Sequence, residues 1–330
     1  MTIGRRGALA GLAAAASLAD PTRPVFAMQP AQTRRRLTLL VGGRESSVPD
    51  RTARAFLPFL AARLPGFSLD IRNISGDGGR MMLSALGDPR AAGSMIGWVS
   101  TPTLPARMID RGDPTLIQRI VLLGQAEREP VAFVSPASDP ADTVQDIVQR
   151  AANDADAVPL GTPPAGSPPF LTALRLQALA QTRLNIVTFP SSEAALQAVL
   201  AGNVSAAALG LSQAIENVRN GNLTAIGIAA RRRLGLLPDA PVLDEGGIPL
   251  SAFIRRGLAV PAGTPPDLAK ALTEAAQGAT NDDAFKQQAE GNGYYAVWQD
   301  GPAWLAEAEV ERAELAALWA TDPWLSSSGE

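Results

Sequence analysis

The sequence predicts an α/β chain whose sheets are doubly wound and mostly parallel. Three observations carry this. Short apolar runs alternate with stretches of helical periodicity. Glycine, serine and proline punctuate the boundaries between them. And 330 residues, 46 % of them hydrophobic and 18 % charged, suffice for one large or two medium domains with their own cores.

The elements follow in order. Leu37 to Val41 is an apolar run ending in Gly42 and Gly43, which reads as a buried strand. The loop through Arg44, Ser46 and Ser47 leads into a helix with Phe56, Leu57, Leu60 and Leu64 on one face. Ser47 is the expected N-cap and Pro49 suits the first turn. Ser68 to Arg72 reads as a strand, Ser75 to Gly79 as a glycine-rich loop, and Met81, Met82 and Leu86 as a helix face. Met95 to Val99 is a third strand.

A second α/β unit starts near Val131 to Val134. It continues with a helix over Val144 to Ala151, a strand near Val158 to Leu160, and the loop Gly161 to Ser167. Pro168 and Pro169 open the next helix, Asn185 to Phe189 is a strand, and Ser191 and Ser192 cap a helix closed by Gly202. Ala225 to Ala229 is one more strand. Thr264 is the expected N-cap of a helix faced by Leu268, Ala271, Leu272 and Ala275. A last helix runs from Pro302 to Trp319, with Trp304, Leu315 and Trp319 available for packing.

Composition narrows the function. The chain has neither Cys nor His. Disulfides, thiolate nucleophiles, Cys/His zinc sites and histidine bases are excluded, so a catalyst would rest on Asp, Glu, Lys, Tyr or Ser. The two lysines, Lys270 and Lys286, lie on predicted surface helices away from the candidate cleft. No enzyme, metal or cofactor is expected. Net charge is -3 and aromatics make up 5 %, without the basic stripe that nucleic-acid binding wants. Arg231, Arg232 and Arg233 read as a solvated loop.

At the start, Arg5 and Arg6 precede an apolar stretch from Gly7 to Ala19, and Val25-Phe26-Ala27 offers a small-x-small cleavage site. Residues 1–27 therefore read as a signal peptide, too short to span a bilayer. The arginine pair fits a twin-arginine signal as well as an ordinary positive n-region. No later stretch reads as a membrane span, so a soluble periplasmic protein is expected.

Two strings in the last third then carry a resemblance: LPDAPVLDEGGIP from Leu237 to Pro249, and GLAVPAGTPP from Gly257 to Pro266. In that order they resemble the signature of Bug-type receptors, the periplasmic solute-binding proteins of tripartite tricarboxylate transporters. Asp50 to Arg54 fits the family's D-x-x-A-R, Asn73 to Gly79 its N-R-P-G-A-G-G loop, Gly161 to Ser167 its G-S-A-G-N-G-S loop, and Val187 to Ser191 its V-P-Y-K-G segment. The match runs from about Leu37 to Trp319.

The resemblance implies a two-lobed type II periplasmic-binding fold, with residues 28–127 plus 231–330 in one lobe and 128–230 in the other. The lobes would hinge closed on one small organic acid, and the loaded monomer would dock on a membrane permease. A ligand-presenting accessory to a sensor kinase, or a diverged scaffold that binds nothing, are the alternatives. The acid would sit at the first helix of each lobe, where helix N-termini offer unsatisfied N–H groups and partial positive charge. This makes Gly43, Arg44, Ser46, Ser47 and Asp50 candidates in one loop, and Thr162, Gly166 and Ser167 in the other. The N–H groups of Ser47 and Ser167 are expected at the anion. Asp77 and Phe189 complete the candidate set. Arg44 either meets an acidic ligand or pairs with Glu45. Asp77 either meets an amine or hydroxyls, or is an exposed turn acid. Phe189, where the family has tyrosine, is either core or pocket wall.

Overall fold

The computed structural model describes residues 34–138 and 143–325; the expected signal peptide lies outside them. The first strand, β1 (Arg35–Val41), is followed by α1 (Val48–Ala62), β2 (Phe67–Asn73), α2 (Arg80–Leu86), β3 (Met95–Thr101) and α3 (Thr103–Asp110). Next comes β4 (Ile120–Pro136), a strand of 17 residues. Then follow α4 (Val144–Asn153), β5 (Pro159–Thr162), α5 (Pro168–Ala180), β6 (Asn185–Thr188), α6 (Ser192–Leu200), β7 (Ala206–Gly210), α7 (Leu211–Arg219) and β8 (Leu223–Ile228). The chain ends with β9 (Phe253–Pro261), α8 (Pro266–Thr280), α9 (Asp283–Gly291), β10 (Tyr295–Asp300) and α10 (Gly301–Thr321).

The strands form two sheets joined through β4. Its first part, Ile120 to Pro130, pairs with β9 and β10, and β9 continues through β3 and β1 to β2. Its second part, Val131 to Pro136, pairs with β7 and β8, and β7 continues through β5 to β6. The pairs β1–β2, β1–β3, β5–β6 and β5–β7 are parallel, as strand–helix alternation predicts. Every antiparallel pair involves β4 or β9. The expected lobe boundary at residues 127 and 128 falls inside β4.

Helix starts match the sequence in position but not always in chemistry. Ser47 and Ser167 occupy the N-cap positions of α1 and α5, yet neither side chain caps its helix. The Ser47 hydroxyl instead donates to the Arg44 carbonyl at 2.6 Å. Thr264 does not cap α8; Pro265 stands there, and the Thr264 hydroxyl donates to the Pro261 carbonyl. Ser191 caps α6 as expected, accepting from the Ala194 N–H.

Packing fixes the elements around the cleft. Phe56 stacks on Trp98 and meets Phe285 edge-on, with ring centroids 5.1 and 5.2 Å apart. Trp304 is fully buried and donates to Thr101. Leu315, Trp319 and Trp324 pack with Phe170 and Leu174 of α5 and Ala106 of α3. The end of α10 thus ties helices from both sheets together.

Candidate functional site

A cleft of about 480 Å³ opens where loops from the two sheets face one another. On one side it is walled by the β1–α1 loop and the glycine-rich loop before α2. On the other it is walled by the β5–α5 loop and the start of α6. Trp98, Glu129, Ile254 and Arg256, from β3, β4 and β9, also line it.

The β1–α1 loop is shaped by a buried carboxylate. Asp50 is 1 % exposed and accepts from the Ser46 N–H at 2.8 Å, from Asn73 Nδ2 at 2.9 Å and from Arg54 Nε. Asn73 also donates to the Gly43 carbonyl. Burial alone would raise the Asp50 pKa, but Arg54, Asn73 and the Ser46 N–H together hold it below the usual carboxylate range. Ser46 can donate there because its φ of +63° turns the loop inward. Asp50→Ala should leave these donors unmatched, lowering stability by about 2–3 kcal/mol in urea melts and loosening the loop beside the cleft.

The glycine-rich loop runs through consecutive left-handed residues, Gly76 to Gly79, with φ of +123°, +50°, +59° and +95°. Asp77 is bonded to Arg80 and Arg111. This corrects the reading of Asp77 as an exposed turn acid: it is a paired carboxylate at the cleft wall. Burial opposes its charge, but Arg80, Arg111 and Arg107 hold its pKa below the ordinary value.

The two helix starts hold fewer anion donors than the sequence suggests. The Ser47 N–H donates to the Arg44 carbonyl at 3.2 Å, and the Ser167 N–H to the Pro164 carbonyl at 3.0 Å. Both expected anion contacts are therefore spent on local turns. Pro168 and Pro169 take the first two positions of α5 and have no N–H to give. Ser167 Oγ is buried without a partner, so its hydroxyl is the available donor of that loop.

Gly43, Arg44, Ser47, Asp77, Gly166 and Ser167 line the cleft. Ser46, Asp50, Thr162 and Phe189 do not. Ser46 is an exposed turn residue that gives its N–H to Asp50, and Thr162 is buried within β5. Phe189 is partly buried and packs against the core of the second sheet, beside Gly161. Arg44 is exposed at the mouth, and no ion pair joins it to Glu45 among the described residues. Gly43 must be small because a Cβ there would press on Ser47 Oγ and Pro49. Lys270 and Lys286 pair with Glu274 and Asp283 on their own helices, outside the cleft.

Two buried arginines in the cleft escaped the sequence reading. Arg107, on α3, is 2 % exposed and reaches Asp110 Oδ2 at 2.5 Å, while Trp324 donates to that same oxygen at 2.9 Å. Burial lowers the Arg107 pKa and raises that of Asp110. Arg256, on β9, lies 2.8 Å from Glu127 and 2.7 Å from Glu129. Glu129 in turn accepts from the N–H and hydroxyl of Ser212 at the start of α7. Burial would lower the Arg256 pKa, but Glu129 and Glu127 raise it.

With this geometry in place, known proteins can be compared. The sequence model of the family described as "Tripartite tricarboxylate transporter family receptor", TctC, matches residues 108–312. The chain belongs to the TctC family. A UPF0065 protein of Agrobacterium vitis, from the TAR-I ttuE-ttuC' intergenic region, is 25 % identical to this TctC chain over 290 residues, covering 84 % of it and 82 % of the relative. MatC from Rhodopseudomonas palustris, with bound malate, superposes with a TM-score of 0.75 at 23 % identity, over 86 % of this chain and 98 % of its own. The periplasmic binding protein BugD superposes with a TM-score of 0.76 at 18 % identity, over 87 % and 97 %. These structures share the two-lobed TctC fold. The family is one of periplasmic solute-binding receptors rather than enzymes. Among the described residues, no helix is long and apolar enough to cross a membrane, and no cluster of acidic residues could hold a metal ion.

Proposed function

We propose that this chain is an exported receptor that captures a small organic acid between its two lobes and delivers it to the permease of a tripartite tricarboxylate transporter. The observation that carries the reading is the cleft itself. It draws its walls from both sheets, at the loop before α1 and the loop before α5. Family membership and the malate held by MatC support an acid as the ligand. Residues 1–27 act as the export signal, and the lobes comprise 28–127 plus 231–330 and 128–230. Closure bends β4, the strand that crosses the 127/128 boundary between them. The receptor works as a monomer. Gly43, Arg44, Ser47, Gly166 and Ser167 face the ligand.

Thermal-shift measurements on Met28 onward, against mono-, di- and tricarboxylates and amino acids, test the reading. An acid at 100 times its Kd adds ~2.7 kcal/mol. For a protein of this size, that raises Tm by roughly 5–10 °C. Absence of any shift across the acids would defeat the receptor reading. Loss of uptake of the bound acid in cells lacking this chain would support delivery to a permease; unchanged uptake would count against it.

A further inference from the structure

The cleft is electrically lopsided, and the asymmetry singles out Arg107. Beside cleft-lining Arg107 and Asp77, Arg80 and Arg111 cluster with Asp77 and Asp110 as the acids paired to them among the described residues. That group carries one positive charge in excess. Elsewhere in the lining Arg256 lies between Glu127 and Glu129, a group with two acids to one cation. An anion in the cleft is favoured beside the first group over the second.

Within the positive cluster, Arg80 and Arg111 are both bonded to Asp77. Arg107 differs. Its Nε and Nη2 are buried without a hydrogen-bond acceptor, and Asp110 touches it outside hydrogen-bond geometry. A buried guanidinium with open donors marks a place where an acceptor belongs. Arg107 lines the cleft, and its guanidinium packs closely against two glycines. A Cβ on Gly78 would collide with Nη1, and one on Gly166 with Nη2. These two cleft-lining glycines come from opposite walls. Asp110, fixed by Trp324, holds the guanidinium from behind.

We propose that Arg107 is the anion hook of this receptor, taking one carboxylate of a ligand whose remaining skeleton is short and apolar. This rests on the receptor reading above and assigns the residue that recognises the acid. The apolar skeleton follows from the rest of the lining, where Met82, Leu83, Trp98, Ile254, Pro164 and Pro169 face the space. Arg44 at the mouth is a secondary contact for a second carboxylate. The planar fork of arginine suits a carboxylate bidentately, which lysine cannot reproduce.

The test uses the mature chain with hexanoate, adipate, malate, benzoate and the uncharged 1,6-hexanediol, titrated calorimetrically. Wild type should bind acids and ignore the diol. R107Q should weaken every acid that binds by about 10- to 100-fold, and R107K by about tenfold. Melting curves without ligand establish that each variant is folded. If folded R107Q and R107K bind the acids as wild type does, Arg107 is only a buried structural ion pair and the proposal is overturned, while the receptor reading stands. If wild type binds none of the four acids, the receptor reading falls and takes the proposal with it. Should R107Q not fold, R107K, which keeps the charge, decides alone: unchanged affinity overturns the hook.

Discussion

Arg256→Met should cost about 3–5 kcal/mol of folding stability at neutral pH, because it leaves Glu127 and Glu129 buried with no cation between them. Both carboxylates are fully buried, so neither can turn to water. Glu127 already shows the tension in the intact protein. Burial, with help from Glu129, pushes its pKa up to about 7 against the attraction of Arg256. The consequence for pH has a definite sign. A carboxylate with a folded pKa near 7 and an unfolded value near 4.5 is protonated more readily in the folded state between those values. Stability therefore declines as pH rises from about 4.5 to 7, and the full cost is present above 7. Glu127→Gln removes the surplus charge and leaves Arg256 paired with Glu129. It should leave stability near wild type at pH 5 and raise it at pH 8 by up to about 3 kcal/mol. Guanidinium melts of both variants at pH 5 and pH 8 check this. A Glu127→Gln protein less stable than wild type at pH 8 would contradict it.

Gly257→Ala should be comparably severe, costing about 3 kcal/mol or more. Gly257 pairs with Gln125 where β9 runs beside β4. A Cβ there would strike the Gly124 carbonyl and come within 2.7 Å of Gln125 Cα. These neighbours are backbone, so no side chain can swing aside, and the two central strands would have to part. The measurement is the midpoint of urea unfolding. A drop in acid affinity without a drop in stability would instead place Gly257 in ligand binding. Gly257 opens the second signature string of the sequence, so that glycine reports on strand approach rather than on contact with a solute.

The fold was largely legible where local chemistry decides it. Gly42 and Gly43 after β1, Pro49 in α1, and Pro168 and Pro169 at α5 announce their boundaries with residues whose backbone preferences need no distant partner. β4 was read only from Val131 onward, although the apolar run Ile120 to Leu123 is a local strand signal. Its preceding stretch, Gln125 to Pro130, contains two glutamates, an arginine and a proline, and so reads as polar loop. Those glutamates are buried only because Arg256, 129 residues from Glu127, lies between them. The polar middle of the strand is a tertiary fact with no local signature. The site divides in the same way. Sequence pattern located both cleft loops, since each joins a strand to a helix. Of Ser47 and Ser167 it misjudged the N–H groups alone, which close turns that only the folded loop reveals. It also passed over Arg107, which sits near Arg111 on a helix that looks solvated. Its burial comes from Gly78, Gly166 and the Trp324-bound Asp110.

The pairing of β9 with both β3 and β4 sets the order in which this protein can be built. A nascent chain that has not reached Phe253 holds β1, β2 and β3 as a parallel ribbon with one bare flank, and the first part of β4 has neither neighbour. The N-terminal half therefore cannot reach its native state during synthesis, however long it waits. Completion of the first sheet waits until nearly four-fifths of the chain is made, and then proceeds by insertion of a late strand into an early gap, whereas the second sheet has its strands by Ile228. The first sheet stays incomplete through most of the chain's production, and its exposed strand flanks need shielding until β9 arrives.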